Sequence, residues 1–328
     1  MIEVNIPLGA IKPVEFYGIH NSRLGIIKKT FPYLNIAARG SELKVRGNEK
    51  EIEDFRVKIE QVVTHLEDYG SISDANLQSL LFGLKPNELT DTQHLPEDVI
   101  VHGPNGLMVK ARTPNQKVMV HLAQDHDIVF AIGPAGTGKT YTAVALAVKA
   151  LKEKSVKRII LTRPAVEAGE NLGFLPGDLK DKIDPYLRPL YDALDDMIPV
   201  EKLNLFMTNR IIEIAPIAFM RGRTLDHAFI ILDEAQNATD AQLKMFLTRL
   251  GPSAKCIITG DLTQIDLPRN QSSGLFTSLR ILKEIDGIGT VFLNENDVVR
   301  HRLVKQIIKA YDYEKRRQDD VHDNDHSS

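Results

Sequence analysis

The hydrophobic pattern divides the chain into two regimes. Over the first 70 residues an extended MIEVNI opening gives way to a helix, two strands and a second helix. Leu24, Ile26, Ile27 and Phe31 form a helical stripe across 22–31. Segments 34–38 and 42–45 read as short strands around the turn Arg39-Gly40-Ser41. Asn48 followed by Glu51 predicts a capped helix start, and Ile52, Phe55, Ile59, Val62, Val63 and Leu66 share one face as far as about residue 68. Further along, segments 127–132, 229–232 and 254–259 read as mostly apolar strands, with continuous apolar stretches at 128–132, 229–232 and 256–258. Such runs predict strands of a parallel sheet covered on both faces. Between the regimes, 71–112 reads as a connector: a short helix over 71–82, then Pro86, Pro96, Gly103, Pro104 and Gly106. The expected organisation is 1–70, a connector at 71–112, a core at 113–313 and a frayed polar tail at 314–328, with no internal repeat.

The first apolar run leads into Gly133-Pro134-Ala135-Gly136-Thr137-Gly138-Lys139-Thr140, and a helix carrying Ala143, Val144, Leu146, Ala147 and Leu151 follows. This is the GxxxxGK[ST] pattern in its strand–loop–helix context, a P-loop for a nucleoside triphosphate. The glycines let successive N–H groups turn toward phosphate, and the helix N-terminus adds to that field. Lys139 is placed for the β and γ phosphates, and the Thr140 hydroxyl for Mg²⁺. The second run ends in Asp233-Glu234, within Asp-Glu-Ala-Gln. Asp233 is expected in the metal shell, and Glu234 is expected to polarise the attacking water. The third run opens onto Gly260-Asp261-Leu-Thr-Gln264, where Gln264 is a candidate γ-phosphate sensor; Cys256 inside the run reads as core. Upstream, Gln116 sits at the right distance to present its carboxamide to adenine, and capping is its competing role.

Composition narrows the classes. With 41 Lys and Arg against 44 Asp and Glu the net charge is -3, which excludes a globally basic nucleic-acid binder and leaves local binding open. A hydrophobic share of 43% excludes a wholly disordered chain. One cysteine makes neither an internal disulfide nor a multi-thiolate metal site. The start lacks a basic segment followed by an apolar one, and no apolar stretch is long enough to span a bilayer, so a soluble cytoplasmic protein is expected.

The front unit resembles a KH-like RNA-binding module. The stretch matching its GXXG loop is Gly18-Ile19-His20-Asn21, without the second glycine. Ten basic and ten acidic residues in 1–70 give no basic bias, so RNA contact and a plain docking role both stay open there. Residues 95–313 resemble the PhoH-like family, whose ATPase core is similar to the first motor domain of superfamily 1 helicases. Besides the motifs above, the strings that carry the likeness are Thr162-Arg163-Pro164, Gly173-Phe174-Leu175-Pro176-Gly177, Met220-Arg221-Gly222-Arg223-Thr224 and Asp297-Val298-Val299-Arg300-His301. The resemblance implies an α/β fold: a RecA-like P-loop core with a parallel sheet behind a small α+β domain, as in the short branch of the family. It implies ATP and Mg²⁺ as cofactors and ATP-dependent work on RNA, with helicase activity in view. A YbeY-type endoribonuclease and the ribosome are the implied partners, in ribosome maturation or RNA quality control.

After the third strand motif about 60 residues remain, too few for a second motor domain to supply an arginine finger. A ring of subunits, a homohexamer, is therefore expected, with Arg221, Arg223, Arg300 and Arg302 as candidate fingers, each equally open to a surface salt bridge. For RNA, the basic window Lys149, Lys152, Lys154, Lys157, Arg158 and Arg163, opposed only by Glu153, is one candidate. Phe174, Tyr186 and Tyr191 are candidate stacking surfaces. Two other classes stay open: a nucleotide-dependent switch that controls a partner nuclease with little turnover, and a small-molecule kinase.

Overall fold

The computed structural model describes residues 2–9, 11–18, 21–72, 74–83, 99–164, 179–268 and 271–299. The 173–177 string with Phe174, the side chain of Tyr186, Arg300, Arg302 and the tail lie outside the described residues.

The front unit comprises β1 (Ile2–Pro7), α1 (Pro13–Tyr17), α2 (Ser22–Thr30), β2 (Asn35–Arg39), β3 (Glu42–Gly47) and α3 (Glu49–Tyr69). Its strands form an antiparallel sheet in the order β1-β3-β2. Asn48 caps α3 by accepting the Glu51 N–H at 2.8 Å, as its spacing predicts. The loop from α1 to α2 starts at Gly18 (φ 76°) and ends at Asn21 (φ 57°). Asn tolerates the left-handed region better than other side chains do, so it serves the backbone where a GXXG loop has its second glycine.

The helix of the connector, α4 (Asp74–Leu81), belongs to the front unit by packing. Leu77, Leu80 and Leu81 are buried with Phe55, Ile59 and Phe31. The next residue, Phe82, crosses over: it is buried among core residues and stacks on Phe292 with ring centroids 6.1 Å apart. The two bodies therefore share an apolar junction, flanked by the Arg280 guanidinium 5.1 Å over the Tyr33 ring.

The core opens with a hairpin, β4 (Val99–His102) and β5 (Met108–Lys110), followed by α5 (Pro114–Asp125), β6 (Ile128–Ile132), α6 (Lys139–Lys152) and β7 (Arg158–Arg163). Then come α7 (Leu179–Met197), α8 (Val200–Thr208), β8 (Ile212–Pro216), β9 (Ala228–Leu232), α9 (Asp240–Leu247), β10 (Lys255–Gly260), α10 (Gly274–Leu282) and β11 (Ile288–Phe292). Six strands make one sheet in the order β11-β6-β10-β9-β7-β8, every neighbouring pair parallel.

Strand alternation explains why the middle of each central strand is apolar on both faces. On β6, Val129 and Ala131 pack against α5, α6 and α7, while Phe130 and Ile132 pack against α9 and α10. With helices on both faces, neither set of side chains meets water. Cys256 is buried in β10 and burial pushes its thiol pKa up, as befits a core residue. The strand order sets up the site. β10 lies between the P-loop strand β6 and the acidic strand β9, so side chains from the end of β10 stand between loop and carboxylates.

Candidate nucleotide site

The loop after β6 is shaped by close approaches. The Gly133 N–H donates to the Gly260 carbonyl, and a Cβ at Gly133 would lie 2.4 Å from the Leu293 oxygen. Gly138 has φ 78° and caps α6; a Cβ there would meet the Gln116 amide nitrogen at 2.7 Å. Larger residues are excluded at both positions. The N-terminal, positive end of the 14-residue α6 then begins directly at the end of the loop. Lys139 is buried, its Nζ donating to the carbonyls of Gly133 (2.6 Å) and Pro134 (2.9 Å).

Opposite the loop, one carboxylate collects two hydroxyls. Asp233, at the end of β9, accepts on Oδ1 from Thr140 at 2.7 Å and from Thr259 of β10 at 2.5 Å. Its own N–H donates to the Thr162 carbonyl of β7, so the carboxylate is anchored from both neighbouring strands. A hydroxyl and a carboxylate in contact are hard oxygen donors, the set that suits Mg²⁺. Thr140 and Asp233 are thus the residues that would hold that ion.

Glu234 follows in the left-handed region (φ 52°, ψ 42°), a conformation costing about 1–2 kcal/mol for a side chain of this kind. The strain turns its carboxylate out of the sheet's alternation. Its Oε1 lies 3.2 Å from Arg163 Nη2, and its Oε2 accepts from Gln236 Nε2 at 2.5 Å. Gln236 is buried and its Oε1 accepts the Asp261 N–H at 3.0 Å, which locks it between β9 and β10. Asp261 in turn accepts from the Thr263 N–H and hydroxyl on Oδ1, while its buried Oδ2 has no partner.

A cavity of about 520 Å³ joins these parts, lined by Ala135, Gly136, Lys139, Thr140, Asp233 and Glu234, with Asp192 and Asp196 of α7 on its rim. The P-loop, Asp233 and Glu234 thus meet in one place. Gln264 is exposed on the loop after β10, and that cavity is lined without it. Gln116 has both ends of its carboxamide engaged: Oε1 accepts the Arg112 N–H at 2.7 Å and Nε2 donates to the Thr137 carbonyl at 2.8 Å. It straps α5 to the P-loop. A second strap comes from 294–299, where Asp297 accepts from Asn115 at 2.8 Å and the Val299 N–H donates to the Gly136 carbonyl.

The candidate arginine fingers separate. Arg223 is bidentate to Glu213 (2.6 and 2.7 Å), an interaction that holds the Glu213 carboxyl below its usual range. Its fork is committed within the chain. Arg221 is exposed. The basic window is also split. Lys152 donates to the His102 carbonyl, Arg158 to the Asp226 carbonyl, and Lys149 pairs with Glu153. Lys149 and Lys152 lie in the last turn of α6, which runs away from the phosphate loop, whereas Arg163 ends β7 on the nucleotide edge. Tyr191 packs partly buried against the core. Sequence reasoning missed Thr259, Gln236 and the Arg163–Glu234 pair; the Gln in Asp-Glu-Ala-Gln was the one visible signal.

The family model for "PhoH-like protein" matches residues 108–312. A PhoH-like protein of Bacillus subtilis is 48% identical over 299 residues, covering 91% of this chain and 93% of the relative. One from Synechocystis is 49% identical over 274 residues, 84% of each chain. Protein PhoH of Escherichia coli is 45% identical over 205 residues, 62% of this chain and 58% of that one. Among solved structures, Pif1 helicase from Candida albicans overlaps 56% of this chain and 39% of its own at 14% identity and a TM-score of 0.30, too slight a likeness to bear on fold or role. Among the described residues no helix is long and apolar enough to cross a membrane.

Proposed function

Because this chain belongs to the PhoH-like family and carries a P-loop nucleotide site, we propose that it is an Mg²⁺-dependent ATPase acting on or with RNA. The observation that carries the reading is the meeting of Thr140, Asp233 and Thr259 opposite Lys139, with Glu234 beside them. In this reading Lys139 leaves the Gly133 and Pro134 carbonyls to neutralise the β and γ phosphates. The α6 N-terminus binds the phosphate oxygens, and Thr140 and Asp233 hold the ion. Mg²⁺, when bound, would supply positive charge against the phosphates. Glu234 orients water toward the γ phosphorus and takes its proton on a carboxylate oxygen. Gln264, on the exposed loop, takes the sensor role only after closing toward the γ phosphate.

Family likeness supports work on RNA in ribosome maturation or RNA quality control, beside a YbeY-type endoribonuclease or the ribosome. Helicase activity and a homohexameric ring belong to the same proposal. Since Arg223 is committed to Glu213, Arg221 is the described candidate to reach a neighbouring site. A second reading, a nucleotide-dependent switch with little turnover that controls a partner nuclease, draws on one observation: both oxygens of Glu234 are already bonded to side chains. Phosphate release from ATP with Mg²⁺, measured with and without single-stranded RNA, tests both. Turnover that RNA raises supports the motor. A rate below about 10⁻³ s⁻¹, close to an unassisted GTPase and indifferent to RNA, supports the switch.

A further inference from the structure

The two partners of Glu234 differ in kind. Gln236 is buried, and both ends of its carboxamide are bonded, so it is a fixed brace. Arg163 is different: its pair with Glu234 is partly open to solvent, with the side chains 22% and 35% exposed. A pair that water reaches on one side can exchange its carboxylate for another anion. Arg163 is also the last residue of β7, at the same edge of the sheet as the phosphate loop, and the one cation of its basic window found there. A planar guanidinium binds phosphate oxygens bidentately at least as well as it binds a carboxylate.

We infer that Arg163 is a positioning residue that restrains Glu234 in the resting protein and releases it when a polyanion, single-stranded RNA, draws the guanidinium away. The inference rests on the ATPase reading and adds the route by which RNA reaches the water-activating carboxylate. While Nη2 lies on Oε1 and the Gln236 amide on Oε2, each carboxylate oxygen already holds a donor, and water must compete for what remains. Removing the cation leaves Gln236 to orient Glu234 and opens Oε1 to water. Phosphate groups at the end of β7 have the same effect without any substitution.

The test compares RNA-free ATP turnover, the ATP response and the binding of a non-hydrolysable ATP analogue in wild type, Arg163→Lys and Arg163→Met. The expected order of RNA-free kcat is wild type, then Arg163→Lys, then Arg163→Met. The last should be about fivefold above wild type, with analogue affinity and KM for ATP within about twofold. That ratio corresponds to about 1 kcal/mol, the scale of a partly exposed ion pair. Added single-stranded RNA should raise wild-type kcat and leave Arg163→Met unchanged. Turnover in Arg163→Met at or below wild type overturns the inference, as does loss of analogue binding, which would place Arg163 in nucleotide binding instead. If wild type ignores RNA while Arg163→Met is still faster, the restraint stands and the RNA reading falls. If neither protein releases phosphate, the ATPase reading falls and takes the restraint with it.

Discussion

The Thr140 hydroxyl and the Asp233 carboxylate, 93 residues apart in the chain, meet at 2.7 Å across the mouth of the phosphate loop. Neither residue is placed by its own strand alone. Asp233 directly follows β9, Thr140 lies in the first turn of α6, and β10 brings the Thr259 hydroxyl onto the same oxygen at 2.5 Å.

Thr259→Val keeps the branched shape and removes that hydroxyl. Loss of one hydrogen bond to a charged acceptor is expected to lower stability by about 1.5–3 kcal/mol. It also frees Asp233 to rotate, so the Mg²⁺ concentration for half-maximal ATP turnover should rise several-fold. An unchanged Mg²⁺ titration would show that Thr259 only packs.

Gln116→Ala removes the strap between α5 and the P-loop and leaves the buried Thr137 carbonyl without its donor. The expected cost is about 1–3 kcal/mol. KM should rise for ATP and for a pyrimidine triphosphate by the same factor, because the loop itself loosens. A rise confined to ATP would mean that the carboxamide turns to read adenine in the nucleotide-bound protein.

The Arg223–Glu213 pair gives a pH signature. Arg223 hydrogen bonds hold the Glu213 carboxyl below its ordinary 4.5, with burial opposing. A depressed folded value contributes stability above the unfolded value and loses it as pH falls through the folded one. Arg223→Met should therefore cost about 0.5–1 kcal/mol at neutral pH, the range of a partly exposed pair, and progressively less below about pH 4. Urea unfolding of both proteins at the two pH values checks this; an equal gap at both would contradict it.

Phe82→Ala cuts the apolar junction between the front unit and the core, where Phe82 is 1% exposed and stacked on Phe292. A loss of about 3–5 kcal/mol is expected in chemical denaturation. A loss under about 1 kcal/mol would mean that the junction is held by other contacts.

Much of this was legible in local sequence. The capped start of α3, the P-loop context and the three mostly apolar runs each depend on neighbours within a dozen residues, and each lies where its pattern predicts. What stayed hidden depends on strand order. Nothing local tells that β10 inserts between β6 and β9, so Thr259 gave no sign of meeting Asp233, nor Gln236 of bracing against Asp261. The left-handed turn at Glu234, which brings Arg163 within reach, is likewise invisible in a residue type that rarely adopts it. Arg223 read equally as a finger and as a salt-bridge partner, and the choice stayed open because Glu213 belongs to an edge strand that the sequence did not announce. The packing of α4 against α3, rather than along a loose connector, needed the leucine face to find its partner.

The central claim is that Glu234 activates water beside a phosphate site that stands without it. Single-turnover phosphate release from ATP with Mg²⁺, comparing wild type with Glu234→Gln, tests it most directly. Release should slow by about 100-fold or more while ATP affinity changes less than about threefold. Release at the wild-type rate from Glu234→Gln, with ATP bound as tightly, would contradict it.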